Sequence, residues 1–217
     1  MIELREEAPG DVPAREVLLD RSFGRGRFRK TCEKLRRGRL PAEGLAFTAV
    51  FASSERVASL TPSLSPKGEG VVGARTSHSL SPWGEGQGEG VPRDGTLVGT
   101  VRLWNIEVGS AGSALMLGPI AVAPELRGQG LGQALMRHAL GEAKRLGHRA
   151  VILVGDAPYY ARFGFDTETV QSLALPGPVD RARFLGLELV AGALDGATGL
   201  IAATGRLQPA RKTARAA

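Results

Sequence analysis

The residues of this chain best suited to chemistry lie in a glycine-rich turn, Arg127-Gly128-Gln129-Gly130-Leu131-Gly132. An apolar segment that ends in Ile120, Ala121 and Val122 comes before the turn, and a helical pattern follows it directly. A turn that opens a helix leaves several backbone N–H groups without partners, and the helix dipole adds positive potential there. Because glycine has no Cβ, the main chain can also approach a ligand closely. The segment predicts a phosphate-binding turn, with a simple helix-capping turn as the alternative.

The glycine spacing excludes two common phosphate-binding motifs. No Lys-Ser or Lys-Thr pair follows Gly132, so the turn is not a Walker loop. The spacing Gly128-x-Gly130-x-Gly132 differs from the G-x-G-x-x-G of dinucleotide-binding folds, and no acidic residue ends a following strand at the ribose distance. A phosphate bound here would therefore belong to a different class of ligand.

The elements that must position this turn alternate between strand and helix patterns. Strand patterns cover residues 2–4, 45–52, 96–104, 114–122 and 150–154, and helical patterns cover residues 12–21, 28–37 and 131–146. In the helix over 131–146 the residues on one apolar face are Leu131, Leu135, Ala139, Ala143 and Leu146. A short helix is expected from Pro158 to Gly164.

Basic residues dominate one segment of the chain. The net charge is +6, and residues 21–39 alone hold nine Arg or Lys residues against one acid, Glu33. A solvated, arginine-rich helix face is one interpretation. Attraction of an anionic cofactor or an acidic substrate is a second, and non-specific nucleic-acid binding is a third. The aromatic content of 5% offers few surfaces for base stacking, which disfavours nucleic acid as a partner.

Composition narrows the remaining classes. The single cysteine, Cys32, excludes an internal disulfide and any multi-cysteine zinc site, and we interpret it as a packing residue. No apolar run approaches the roughly 20 residues that a membrane-spanning helix needs, so no membrane association is expected. The N-terminal residues 1–7 are charged and lack the apolar core of a signal peptide, so we expect a cytoplasmic protein.

Residues 53–94 interrupt the alternation of strands and helices. They contain two copies of the pattern Ser-Leu-Ser-Pro-x-Gly-Glu-Gly, beginning at Ser63 and Ser79. Such a composition buries too little apolar surface to offset the entropy of ordering. We therefore expect a low-complexity, disordered insertion at the tip of a β-hairpin, whose removal would join Ala52 to Gly95, and a basic flexible tail over 206–217. A partner-binding role of the insertion through Trp83 is left open.

The glycine-rich turn and a second segment together resemble a known family. The turn is similar to the R/Q-x-x-G-x-G/A motif of the GNAT superfamily of acyl-CoA-dependent N-acyltransferases. The segment Tyr160-Ala161-Arg162-Phe163-Gly164-Phe165 resembles the second signature of that superfamily, a tyrosine four residues before Gly-Phe. The resemblance covers residues 1–52 and 95–205 and looks closest to a bacterial subgroup of predicted N-acetyltransferases. It implies one α/β (α+β) domain over 1–205, with a mixed, mostly antiparallel, twisted sheet, flanking helices and splayed central strands.

The resemblance also implies a set of site residues. Acetyl-CoA would be the cosubstrate, without a metal. The backbone N–H groups that would hold the CoA pyrophosphate belong to Gly128, Gln129, Gly130, Leu131 and Gly132, and Arg127 would add positive charge. The main chain of Ile120, Ala121 and Val122 would pair with the pantetheine arm. Tyr160 matches the general acid that protonates the CoA sulfur, whereas Tyr159 is expected in the core or in the substrate wall.

The general base is left open by the sequence. Asp156, after the strand over 150–154, and Glu107, just past the strand over 96–104, are both candidates, and a water chain is a third. The expected activity is transfer of an acetyl group to a primary amine of a small molecule or peptide, by direct attack in a ternary complex. A non-catalytic acyl-CoA-binding module and a nucleic-acid-associated protein are the alternatives. Donor acyl length and oligomeric state, including a homodimer, are also left open.

Overall fold

A computed structural model describes residues 1–52 and 95–209 of the chain. The predicted insertion over 53–94 therefore lies outside the described residues, as do residues 210–217 of the predicted tail. The strands are β1 (Ile2–Glu6), β2 (Ala46–Phe51), β3 (Leu97–Val108), β4 (Ser113–Val122), β5 (Ala150–Val154), β6 (Leu173–Ala174), β7 (Phe184–Glu188) and β8 (Gly199–Ala203). The helices are α1 (Val12–Phe23), α2 (Glu33–Arg36), α3 (Leu131–Arg145) and α4 (Ala157–Ala161).

The sheet is mixed and mostly antiparallel, which confirms the predicted fold class. Its main strand order is β1-β2-β3-β4-β5-β7, and β8 pairs with the far end of β3 and with the short β6. In the main path only β4 and β5 run parallel, because α3 connects them as a crossover helix. The sheet is open, with α3 packed against β2, β3 and β4.

The central strands β4 and β5 separate soon after they meet. They pair at Leu115↔Val151 and Met116↔Ile152, and β4 then continues to Val122 without a partner on that side. A register shift accompanies the separation, since Leu103 pairs with Leu117 but Val101 pairs with Ile120. The one extra residue on β4 forms a bulge, which bends a strand and re-aims it. The expected splay of the central strands is therefore present, and it begins at this bulge.

Alternation of side chains along β4 divides the core between the two faces of the sheet. Leu115 and Leu117 belong to one apolar cluster, and Ala114 and Met116 belong to the other. The first cluster receives the apolar face of α3, including Leu135, which is fully buried. This packing holds the helix start, and the turn before it, at the end of β4.

Three predicted element boundaries are wrong. Residues 28–37 do not form one helix but a 3₁₀ turn (Arg25–Arg29) and the four-residue α2, with Lys30 extended between them. The segment has one fully buried apolar residue, Leu35, so it lacks the apolar stripe that stabilises a long helix. The third strand continues past Trp104 to Val108 because β4 and β8 pair with its far end. Leu146 lies beyond the end of α3 and is 41% exposed instead of packing on its apolar face.

The β2–β3 hairpin ends where the sequence predicts. The Phe51 N–H donates to the Thr96 carbonyl at 3.1 Å, and the Gly95 N–H donates to the Phe51 carbonyl at 2.8 Å.

The first residues of the predicted tail are paired with the segment after α2. The Arg206 carbonyl accepts a hydrogen bond from the Leu40 N–H, and the Gln208 N–H donates to the Gly38 carbonyl. In the two described ranges, no helix is long and apolar enough to cross a membrane.

Candidate functional site

The turn over residues 127–132, called the glycine loop below, presents a row of unpaired N–H groups. The Arg127 N–H donates to the Pro124 carbonyl at 3.3 Å, and the next paired donor is the Ala134 N–H, which bonds the Gly130 carbonyl at 3.0 Å. Between these two, the N–H groups of residues 128–133 have no acceptor in the described part of the chain. Since α3 starts at Leu131, its positive dipole end lies at the same place.

Two glycines of the loop hold backbone conformations that suit glycine. Gly128 has φ 77° and Gly130 has φ 83°, both in the left-handed region that L-residues seldom adopt. Gly130 is the residue from which α3 begins. The loop is thereby shaped as an anion-binding nest at a helix start, the geometry that an extended phosphate group can occupy.

Side chains around the glycine loop supply limited charge. Arg127 is exposed, and its Nε donates to the Val122 carbonyl at 3.3 Å, so this guanidinium lies along the free edge of β4. Arg21 at the end of α1 pairs with Glu125 at 2.5 Å on the surface beside the loop. The backbone is therefore the main source of positive potential in the loop.

Tyr159 connects the loop to the splay. A Cβ on Gly132 would lie 3.2 Å from the Tyr159 hydroxyl, so this tyrosine reaches the first turn of α3. Its ring packs edge-on against Tyr160 at 5.0 Å between centroids. Burial raises the pKa of Tyr159, with Arg162 opposing the shift. Tyr159 is thus a wall residue rather than a core residue, one of the two placements expected for it.

Tyr160 lies over the end of β5. Its ring covers Gly155 so closely that a Cβ there would lie 2.1 Å from Cε2, which requires glycine at this position. Burial raises the pKa of Tyr160 to about 12, and the nearby Tyr159 raises it further while Arg183 opposes the shift. The Tyr160 hydroxyl therefore keeps its proton throughout the neutral range, and it has no hydrogen-bond partner among residues 1–52 and 95–209.

A cleft of about 830 Å³ opens between α1, α2 and the separated ends of β4 and β5. Its apolar floor comes from the splayed strands: Leu117, Pro119, Ile120, Leu153 and Val154. Its cationic lining comes mostly from the segment around α1 and α2: Arg15, Arg27, Arg29, Lys30, Arg36, Arg37, Arg102 and Arg183. Of the site residues predicted from the sequence, the cleft brings together Ile120 and Tyr160. Ala121, Val122 and the glycine loop do not line it, but Gly132 lies beside Val122 and the hydroxyl of Tyr159, which does.

The two acidic candidates for a general base lie in different places. Asp156 lines the cleft, is exposed, and precedes α4, where its carbonyl accepts the N–H groups of Tyr159 and Tyr160. Glu107 does not line the cleft; it is an exposed residue inside β3, opposite Ser113 and Ala202. Of the two, only Asp156 is next to Tyr160.

A buried polar network braces the bulge of β4. Glu7 accepts hydrogen bonds from both Arg15 and Arg102, and all three side chains are nearly buried. The Arg102 guanidinium lies 5.7 Å from the Trp104 ring, and the Trp104 indole N–H donates to the Gly118 carbonyl at 2.6 Å. No role was predicted for these residues, because a single Glu or Trp in a strand pattern carries no spacing signal.

Arg36 is a second residue that the sequence analysis did not single out. It follows Leu35 in α2, and its side chain is 11% exposed at the edge of the cleft. Only its membership of the basic segment over 21–39 marked it in the sequence.

Residues that could hold a metal are not grouped here: the described residues contain no cluster of three or more His, Cys, Asp or Glu side chains suited to one.

Comparisons with known proteins agree with this geometry. The model of the acetyltransferase (GNAT) family matches residues 62–165, a range that includes β3, β4, the glycine loop, α3, β5 and α4. The crystal structure of the GNAT family N-acetyltransferase YhbS from Escherichia coli in complex with CoA superposes with a TM-score of 0.63 and 25% identity, covering 94% of this chain and 89% of that one.

The chain thus contains a segment that matches the GNAT family. The uncharacterized N-acetyltransferase YhbS of Escherichia coli strain K12 is 32% identical over 109 residues, which are 50% of this chain and 65% of that protein. The uncharacterized N-acetyltransferase YjhQ of the same strain is 40% identical over 60 residues, 27% of this chain and 33% of that protein. The chain thus aligns with less than two thirds of the length of either curated relative.

Proposed function

We propose that this chain is an N-acetyltransferase that transfers an acetyl group from acetyl-CoA to a primary amine by direct attack. The observation that carries the proposal is the row of unpaired N–H groups over 128–133, at the outer end of the same splay that holds Tyr160. The similar YhbS protein was solved in complex with CoA, which supports the choice of ligand.

The residues present fit a CoA-type ligand at three points. The N–H groups of Gly128, Gln129, Gly130, Leu131 and Gly132 would bind the pyrophosphate, with Arg127 adding charge from the rim. The β4 segment Ile120, Ala121 and Val122 has no strand on its β5 side, so an extended pantetheine arm can add there as a strand would. The splay then leads inward toward Tyr160, where the thioester would lie.

The chemistry of the transfer defines what the protein groups must do. A neutral amine attacks the thioester carbonyl carbon, the C–S bond breaks, and the thiolate leaves while the new amide nitrogen loses a proton. Acetyl-CoA supplies the activated acyl group when bound. The protein holds the two reactants together in the cleft, which is the main advantage of a ternary complex. Asp156, exposed at the cleft wall, or solvent would accept the amine proton.

Tyr160 is the residue that we assign to the leaving group. Its hydroxyl is protonated at neutral pH because burial raises its pKa to about 12. It can therefore donate a hydrogen bond to the sulfur as negative charge develops there, and proton transfer completes as the amine is deprotonated. Its partner-free hydroxyl among the described residues leaves that donor available.

Isothermal titration of the intact protein with acetyl-CoA, followed by thiol-release assays on an amine panel, tests the proposal. We expect one-to-one binding and amine-dependent release of CoA thiol. Failure to bind acetyl-CoA would contradict the assignment of the glycine loop and the enzyme proposal together. Binding without thiol release from any amine would favour the non-catalytic acyl-CoA-binding module instead.

A further inference from the structure

Arg36 is held at the inner end of the strand splay. Its guanidinium extends from α2 to β4, where Nη1 lies 3.6 Å from the position that a Cβ on Gly118 would take. Gly118 forms part of the bulge at which β4 leaves β5. Tyr160 covers Gly155, just past the end of β5 on the other side of the opening. Arg36 from α2, beside β4, and Tyr160 from α4, over the end of β5, thus line one cleft.

The hydrogen bonds of Arg36 are incomplete for a buried cation. A guanidinium has five N–H donors, and burial without partners costs several kcal/mol in typical cases. Nη2 pairs with Glu33 at 3.3 Å, while Nε is buried and has no partner within the two described ranges. Burial lowers the pKa of Arg36, with Glu33 opposing the shift. Nη1, on the side of Gly118, also has no partner within these ranges, so an anion that enters the cleft can pair with it.

The acidic residues around the cleft leave the positive charge uncompensated. Glu16 is bound by Arg15 and Arg27, and Asp180 accepts the Ala182 N–H. By contrast, the exposed cations at the rim, Arg29 and Lys30, have no carboxylate partner in the part of the chain that the structure describes. The cleft therefore presents a positive field to an entering ligand, which raises the local concentration of anions.

We propose that Arg36 binds a carboxylate of the acceptor, so that the acceptor class is an amine that also carries a carboxylate group. The inference rests on the proposed acetyltransferase function and names its substrate class. A carboxylate can accept a charge-assisted hydrogen bond from Nη1, and its charge is favoured because the cations that line the cleft outnumber the acids there. The amine end of such a molecule would then point from β4 toward Tyr160 across the splay.

The test uses pairs of acceptors that differ only in charge. Amino carboxylates of increasing chain length are compared with their isosteric carboxamides in the thiol-release assay, with rates corrected for the fraction of neutral amine. We expect at least one amino carboxylate to exceed its carboxamide by about tenfold or more in kcat/KM, mainly through KM, which is the scale of one charged hydrogen-bonded pair. Arg36→Met should abolish this ratio while acetyl-CoA affinity changes less than about twofold.

A matched control and a second readout keep the test decisive. Arg25→Met removes the same charge from an exposed residue that does not line the cleft, and it should keep the wild-type ratio. In the CoA complex, the preferred amino carboxylate should raise the melting temperature of the wild type and of Arg25→Met, but not of Arg36→Met. This readout needs no turnover and separates lost binding from lost folding.

The contrary outcomes are distinct. A carboxylate preference that survives in Arg36→Met, or acetylation of carboxamides as fast as of carboxylates, overturns the role of Arg36 and leaves the acetyltransferase proposal intact. If acetyl-CoA binds but no amine is acetylated, the absence of a melting shift with every amino carboxylate overturns it as well. Absence of acetyl-CoA binding overturns the proposed function itself, and this inference with it.

Discussion

The glycine loop and the cationic cleft present different kinds of groups to a ligand. The loop offers backbone N–H groups of consecutive residues, 128–133, and two glycines with positive φ. The cleft offers side chains that arrive from α1, α2, β3, β4, β5 and the segment around Arg183. The match to the family model covers the loop and the strands around it but neither α1 nor α2. This division predicts an acetyl-CoA site that is shared with the family and an acceptor site that is specific to this chain.

This difference implies that mutations in the two regions should change different kinetic parameters. Damage to the loop should weaken acetyl-CoA binding, since its N–H groups are aimed by backbone geometry alone. Damage to the cleft should change the acceptor KM or the turnover, since its groups lie at the inner end of the splay. Tyr160 is the strictest test of this division because it lines the cleft, whereas its neighbour Tyr159 reaches the start of α3.

The largest effect is expected for Tyr160→Phe. Removal of the hydroxyl deletes the proposed donor to the sulfur, and general acid–base groups contribute about 10²–10⁴ in rate, so kcat should fall by about 100-fold or more. Acetyl-CoA affinity, measured by calorimetry, should stay within about twofold because the ring and its packing on Gly155 remain. Unchanged kcat would remove Tyr160 from the reaction.

The pH dependence sharpens the same prediction. A group with a pKa raised to about 12 is protonated below that pH, so Tyr160 should cause no alkaline loss of activity through pH 10. Activity should instead rise with pH as the acceptor amine loses its proton. A loss of kcat near pH 10 in the wild type, absent in Tyr160→Phe, would show that the tyrosine titrates as an unperturbed phenol.

A smaller effect is expected for Gly130→Ala. An L-residue in the left-handed region costs about 1–2 kcal/mol, so the loop should relax and its N–H groups should no longer converge. We expect acetyl-CoA affinity to fall about tenfold, with kcat at saturating acetyl-CoA nearly unchanged. Calorimetry gives the first quantity and thiol-release kinetics the second.

Gly141→Ala is the matched control for the loop. Gly141 lies inside α3 with open space around its Cα and an ordinary helical φ, so alanine there should stabilise the helix by about 0.5–1 kcal/mol. Acetyl-CoA affinity should not change in this variant. If both alanine variants bind equally well, backbone shape at Gly130 is not what binds the ligand.

The glycine loop and the cationic cleft also differ in how well the sequence predicts them. The glycine loop, α3 and the Tyr160 segment were predictable because each is a local pattern whose residues are adjacent in the chain. The β2–β3 hairpin was predictable because strand alternation resumes at Gly95 where it stops at Ala52. Mixed pairing and the splay followed from the family resemblance rather than from periodicity.

The acceptor side could not be predicted in the same way. The segment 28–37 has the charge pattern of a helix surface, yet only Leu35 is fully buried, and contacts from distant residues set its shape. Lys34, for example, donates to the Pro176 carbonyl at 2.8 Å. A role for Arg36 becomes apparent only in the folded structure, where β4 brings Gly118 beside it. The two residues are far apart in the sequence. Such contacts have no spacing signal.

The smallest effect is expected for deletion of Ser53 to Arg93, which leaves Asp94 and Gly95 to close the β2–β3 hairpin. The flanking hydrogen bonds between Phe51 and residues 95–96 are already those of a hairpin end, and Gly95 has φ 79°, which suits a tight turn. In a loop-closure model, shortening the connection by more than tenfold lowers the entropic cost of closure by about 2 kcal/mol, so the melting temperature should stay or rise. Neither the glycine loop nor the described lining of the cleft includes the deleted residues, so acetyl-CoA affinity and acceptor KM should both stay within about twofold. A selective rise in acceptor KM would instead assign the segment to the acceptor side, and a loss of folding would show that the segment has a structural role that its composition does not predict.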